Sequence, residues 1–348
     1  MPTGSIPRRR AGTGHEARIR RVSKLGGYSV AALALLIIVS VGSTGAQPAA
    51  ARTARLGIVF VGTAEGSRQN LGTYRQALQE LGYQEGRNLV LDIRYAEGRF
   101  ERAQGLTEEL VKLKVDVLLV GGYQLILAAT RATGTVPIVG VSCGVELFAE
   151  SLAHPGGNVT GVACMSPEVA TKQLQLAREV VPRAVRVAVL HTPAVPYAAS
   201  ELRDLETAAH ALGLTLRPFP LARPEDLEPA FTQMGREGIQ IVVTVSDPLT
   251  YSQRTSIAAL ARDRRLPTVF SFRDYCDAGG LVCYGSNLQS LIRRATTYVD
   301  RILKGARPAD LPIEQPTKFD LVINLRTAKG LGLAVSRPVL SRADEVIQ

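Results

Sequence analysis

The feature that most constrains this chain is a long internal repeat of alternating strand-like and helix-like segments. Leu56 stands 26 residues before Gly82, and Val187 stands 26 before Gly213; Gly82 to Pro137 spans 55 positions and Gly213 to Pro267 spans 54. In each copy, runs rich in Val, Ile and Leu end in Gly, Ser or Asp and give way to stretches with apolar residues at helical spacing. Strand–helix alternation makes a parallel sheet with right-handed crossovers. Two copies make two sheets. The predicted class is therefore α/β, with two doubly wound parallel-sheet lobes related by the repeat. Predicted strands in the first copy cover 55–61, 88–95, 115–120 and 136–141. Those in the second cover 185–190, 214–219, 239–245 and 267–270.

Between the copies lies His154-Pro155-Gly156-Gly157-Asn158-Val159-Thr160-Gly161-Val162. Proline and two glycines break regular structure, and a short β-branched run follows. A breaker and a strand between two similar halves read as a crossover from one lobe to the other. Two later segments resume this logic, and crossings are expected near 158–162, 280–285 and 314–320. The amphipathic stretch 288–303 is expected to pack on the first lobe, and the strand at 319–325 to return to the second. The expected division is 52–158 with 285–315 as one lobe, and 159–284 with 316–348 as the other.

The formal net charge is +10, but much of it lies outside the repeat. Residues 1–51 hold Arg8, Arg9, Arg10, Arg18, Arg20, Arg21 and Lys24 against Glu16 alone. A nucleic-acid binder carries its basic charge on the folded domain, so no nucleic-acid partner is expected. The same leader reads as an export signal: a basic start, an apolar run over 30–41, then small residues with cleavage candidates around Ala46 and Ala51. The run is short of the ~20 residues that span a bilayer comfortably, so a cleaved signal is expected ahead of an uncleaved anchor. An exported chain can oxidise its four cysteines, Cys143, Cys164, Cys276 and Cys283. Spacing alone leaves their pairing open, and it fits no zinc pattern.

No phosphate loop, GxSxG elbow or HExxH helix is present, and no catalytic residue, metal site or cofactor is expected. What the fold class does predict is a cleft. In open parallel sheets ligands bind beyond the carboxyl ends of the strands, and in a two-lobed protein those ends face each other. The residues at those ends are Thr63, Tyr123, Ser142, Cys143 and Gly144 in the first lobe. In the second they are His191, Ser246, Asp247, Phe272, Arg273 and Asp274. Helix N-termini after Gly122 and Pro248 would offer N–H groups to an anion, and Asp247 could hold an ammonium group. The alternative from another class is an exported α/β enzyme using the same cleft, with Cys143 as nucleophile and His191 as base.

Several segments together resemble a known family. They are Gly82-Tyr83-Gln84-Glu85-Gly86-Arg87-Asn88, Arg94-Tyr95-Ala96-Glu97-Gly98, Pro155-Gly156-Gly157-Asn158-Val159-Thr160-Gly161, Ala278-Gly279-Gly280-Leu281 and Tyr298-Val299-Asp300-Arg301-Ile302-Leu303-Lys304-Gly305. To these are added Pro308-Ala309-Asp310-Leu311-Pro312, Gln315-Pro316-Thr317-Lys318-Phe319, Leu321-Val322-Ile323-Asn324-Leu325 and Ala343-Asp344-Glu345. As a set, from about Leu56 to the C-terminus, they resemble ABC-transporter substrate-binding proteins of the tryptophan/tyrosine uptake type. The resemblance implies a periplasmic binding protein of the type I-like, two-lobed kind with three crossovers. It implies capture of a small solute, such as an amino acid or another small carboxylate, by lobe closure. Delivery from the periplasm to a membrane permease driven by a cytoplasmic ATPase would follow. A monomer is expected, because docking to a permease needs both lobes free. A ligand-sensing role toward a membrane receptor fits the same pattern. Ser142-Cys143-Gly144-Val145-Glu146 stands where the family pattern has an Asp-Pro type loop, so the ligand is a separate question from the family.

Overall fold

The computed structural model describes residues 53–164 and 167–348; the expected signal segment lies outside them. The first sheet is built from β1 (Ala54–Phe60), β2 (Leu89–Tyr95), β3 (Val117–Gly121), β4 (Ile138–Val141) and β5 (Val159–Val162). Three helices connect its strands: α1 (Arg68–Glu80), α2 (Ala103–Lys112) and α3 (Tyr123–Ala132). The order is β2-β1-β3-β4-β5, all parallel. The strands read as continuous apolar runs because both faces are covered: Val117, Leu118, Leu119 and Val120 are all buried.

The chain then enters the second lobe through α4 (Pro167–Val180). There follow β6 (Arg186–His191), α5 (Ala198–Ala211), β7 (Thr215–Pro220), α6 (Leu227–Arg236), β8 (Ile241–Thr244), α7 (Pro248–Ser252) and α8 (Arg254–Asp263). Next come β9 (Thr268–Phe270), α9 (Arg273–Asp277) and β10 (Val282–Ser286). Helix α10 (Leu288–Leu303) returns to the first lobe; its buried stripe of Leu291, Ile292, Ala295, Val299 and Ile302 is the one its periodicity predicted. The chain finishes on the second lobe with β11 (Phe319–Asn324), α11 (Leu325–Leu331), α12 (Arg337–Leu340) and β12 (Glu345–Ile347). The second sheet has seven strands in the order β12-β11-β10-β9-β8-β6-β7.

Two details differ from the sequence expectation. Strand β5 was assigned to the second lobe by a boundary after 158, but it pairs with β4 along Ile138–Val141 and closes the edge of the first sheet. Gly161 explains the fit: a Cβ there would lie 2.0 Å from the Gly140 carbonyl oxygen, so only glycine lets β5 dock. Second, β11 runs antiparallel to β10, whereas strand–helix alternation predicted parallel strands throughout. Strand β10 carries the chain out toward the first lobe and β11 brings it back, so they share an end but not a direction.

Three crossings result, after β5, after β10 and before β11, and they are laced together. The Thr160 hydroxyl donates to the Leu311 carbonyl at 2.7 Å, and Ala163 N–H donates to Glu314 O at 2.8 Å. The Ser286 hydroxyl donates to the Cys164 carbonyl.

Candidate functional site

A cavity of about 180 Å³ opens between the two sheets. The first lobe lines it with the end of β1 and its loop (Phe60, Thr63), with Ser67, Asn70 and Tyr74 on and before α1, and with Ser142 and Cys143 after β4. Leu288 and Ile292 of α10 add apolar surface. The second lobe contributes Tyr197, Ser246 and Asp247 after β8, Tyr251 to Arg254 across the α7–α8 junction, and Phe272 after β9.

Of the sequence-predicted residues, Thr63, Ser142, Cys143, Ser246, Asp247 and Phe272 line this cavity. Five lie elsewhere. Tyr123 packs against Phe148 in a tilted pair, centroids 4.9 Å apart, and meets Tyr197 edge-on at 6.4 Å. Gly144 has φ +102° and faces Tyr197, where a Cβ would come within 2.5 Å of the ring. His191 ends β6 in the interior; burial holds its pKa below the ordinary value. Arg273 is partly exposed outside the cavity, bonding Glu345 at 2.9 Å and Asp277 at 3.3 Å. Asp274 sits behind the wall, accepting the Tyr251 hydroxyl at 3.1 Å.

Two expectations change with the geometry. Cys143 is bonded to Cys164, and Cys276 to Cys283, with Cα separations of 4.8 and 6.0 Å. Both separations suit disulfides, so Cys143 has no thiol to serve as the nucleophile of the enzyme alternative. Asp247, only 3% exposed, is committed within its own lobe. Its Oδ1 accepts Leu249 N–H at 2.8 Å and Thr250 N–H at 2.9 Å, and its Oδ2 accepts Thr192 N–H at 3.2 Å. It is the N-cap of α7, with Pro248 at the first helical position. The N–H groups expected to greet an anion there are already taken. Burial pushes this carboxyl up to about 6, against the pull of its donors.

The residues that join the lobes were not predicted. Asn70 Nδ2 donates to the Tyr251 hydroxyl at 3.2 Å, while Gln289 Nε2 donates to Asn70 Oδ1 at 2.9 Å. Arg254 lies over the Tyr251 ring, 4.7 Å from its centroid, and donates to Gly66 O at 3.0 Å and to Tyr251 O at 3.1 Å. Phe272 meets Tyr251 edge-on at 5.8 Å. Gly122, with φ +95°, approaches Pro248 so closely that a Cβ would lie 2.2 Å from its Cγ. A hint was present in sequence: Asn70 and Tyr251 each stand in the first turn of the helix that follows a strand end read as ligand-facing.

The two lobes are bonded to each other beside this cavity. Residues 65–347 match the family model for ABC transporter substrate binding proteins. The chain belongs to that family. As a substrate-binding protein it captures a small solute for an ABC importer. A tyrosine-binding protein from Clostridioides difficile is 23% identical over 262 residues, covering 74% of this chain and 75% of that one. A conserved domain protein from Vibrio cholerae superposes with a TM-score of 0.79 at 24% identity, covering 85% of this chain and all of that one. An ABC domain from Streptococcus pneumonia in complex with L-Trp gives 0.78 at 21% identity over the same shares. These likenesses show the two-lobed fold.

Proposed function

We propose that this substrate-binding protein works outside the cytoplasm, in the periplasm after removal of its leader, as a monomer. It hands its solute to a permease powered by a cytoplasmic ATPase. The lobes that move are 53–162 with 288–314, and 167–286 with 319–348. The solute is small, with one apolar ring-like body and a polar head. The observation that carries this reading is the position of Tyr251 and Arg254: they line the cavity and also bond the opposite lobe, to Asn70 and Gly66. A solute that packs on them favours the closed state by its differential affinity for it. Phe60, Tyr74, Tyr251 and Phe272 suit an aromatic body, and the ligands named for two relatives, tyrosine and L-Trp, support that class.

Calorimetric titration with a panel of aromatic acids, amino acids, sugars and nucleosides tests it, read with small-angle scattering for closure. The expected result is saturable binding of one aromatic class with a fall in radius of gyration and no consumption of the compound. Turnover of the solute, or binding with no compaction, would refute the proposal.

A further inference from the structure

Among the described residues, three charged side chains line the cavity: Glu97, Asp247 and Arg254. Glu97 is ion-paired with Arg102, and its side chain is 60% exposed to water. Asp247 has both oxygens on backbone N–H groups of its own lobe. Asp274, the next carboxylate back, takes the Tyr251 hydroxyl. Asn70 is engaged through both ends of its amide. Arg254 differs from all of these. Its guanidinium touches two carbonyl oxygens and the face of Tyr251, with no carboxylate in salt-bridge contact among the described residues. Two of the guanidinium's five N–H groups account for those bonds.

An α-ammonium group would find the buried carboxylate of the lining, Asp247, already committed, and stripping its water without an acceptor is costly. A carboxylate would meet a guanidinium with no carboxylate partner among the described residues, whose planar fork matches it. The aromatic lining receives the rest of the molecule. On this basis, and resting on the receptor reading above, we infer that the cleft selects a small aromatic monocarboxylate without an α-ammonium group, its carboxylate held by Arg254.

The test is a matched series with one apolar body and three head groups: 3-phenylpropionate, L-phenylalanine and 2-phenylethylamine, titrated calorimetrically into the purified protein near neutral pH. The carboxylate should bind about tenfold or more tighter than the zwitterion, and the amine should give no saturable heat. Arg254→Gln should cost the carboxylate about ten- to a hundredfold in affinity, and Arg254→Lys should restore part of it. Thermal melts of both variants confirm that they are folded. The inference is overturned if L-phenylalanine equals or beats the acid, if no member of the series binds, or if folded Arg254→Gln binds the acid unchanged. The receptor reading is tested separately by scattering across sugars, polyols, amino acids and nucleosides. Closure on one of those with no response to the acid rejects the ligand class and keeps the receptor. Consumption of the bound compound rejects the receptor itself.

Discussion

In the first lobe, β3 ends in Gly121-Gly122 and runs straight into α3. At the corresponding place in the second lobe, β8 is followed by Val245-Ser246-Asp247-Pro248 and the short helix α7. The first junction has no side chain at Gly122 and no side-chain cap, while the second is capped by a buried carboxylate holding three backbone N–H groups. The two junctions face each other across the cleft, Gly122 against Pro248. The same strand–helix turn therefore serves two purposes. One side is stripped to backbone so that the other can approach, and the approaching side is stiffened from within. The repeat conserves the path of the chain but divides the work at its turns.

Four experiments sharpen or break this comparison. Removing the stiff side should have the largest effect. Asp247→Ala leaves three buried N–H groups without their acceptor, and a loss of about 4 kcal/mol in unfolding free energy is expected by denaturant titration. If instead Asp247→Ala keeps full stability and only weakens binding, Asp247 is a ligand contact and the contrast between the lobes fails. The disulfides come next: one ties the first lobe to the first crossing, and the other lies within the second lobe. Cys143–Cys164 closes a 21-residue separation at the first crossing, and Cys276–Cys283 a separation of 7 within the second lobe. Loop-closure entropy predicts a loss of about 3 kcal/mol for Cys143→Ser with Cys164→Ser, and about 2 kcal/mol for the other pair. Equal losses would mean that strain or residual structure, not loop length, sets their worth.

Gly122→Ala tests the bare side. The left-handed backbone costs about 1–2 kcal/mol of stability, and the clash with Pro248 should weaken ligand binding about tenfold. Pro248→Ala in that background should recover part of the affinity but none of the stability; recovery of both would place the whole effect in the cleft. The smallest effect is a slope with pH. Burial pushes the Glu201 carboxyl, on α5 beside Ser246 and Asp247, from 4.5 up to about 8, and Asp247 from 3.8 up to about 6. The folded chain keeps these protons where the unfolded chain has released them. Stability from the pair is thus complete below about pH 4 and is lost as pH rises, through about 6 for Asp247 and about 8 for Glu201. Glu201→Gln should flatten the stretch between about 4.5 and 8, measured as melting temperature against pH. An unchanged slope would show that the second lobe does not strain its own carboxylates.

Elements with a strong internal signal were legible from sequence. Strand β3 is a run of buried aliphatics, and α10 has a stripe at helical spacing that fixes both its type and the side it buries. Short, polar or bent elements were not. The strand-like Glu345–Ile347 and the helix Arg337–Leu340 owe their form to neighbours, and 251–262 was read as one helix where Gln253 breaks it into α7 and α8. The same division holds at the cleft. Residues at strand ends were found by topology alone, and six of those eleven line the cavity. Asn70, Tyr251 and Arg254 were missed because each is an ordinary helical residue until a partner about 180 positions away meets it.

By itself, the sequence determined the paths of the two lobes, their repeat, the three crossings and the family. Those follow from patterns that recur every two or three to four residues and from breakers between them, information that is local. Only the tertiary structure decided which cysteines pair, that Asp247 caps a helix, that Arg273 pairs with Glu345 outside the cavity, and that Arg254 reaches the cleft with no carboxylate partner among the described residues. A side chain's partner is set by distance in space, and two residues with identical local sequence can end on opposite sides of a wall. Charge and hydrogen bonding act over a few ångströms, so their assignment waits on the fold that brings the groups together.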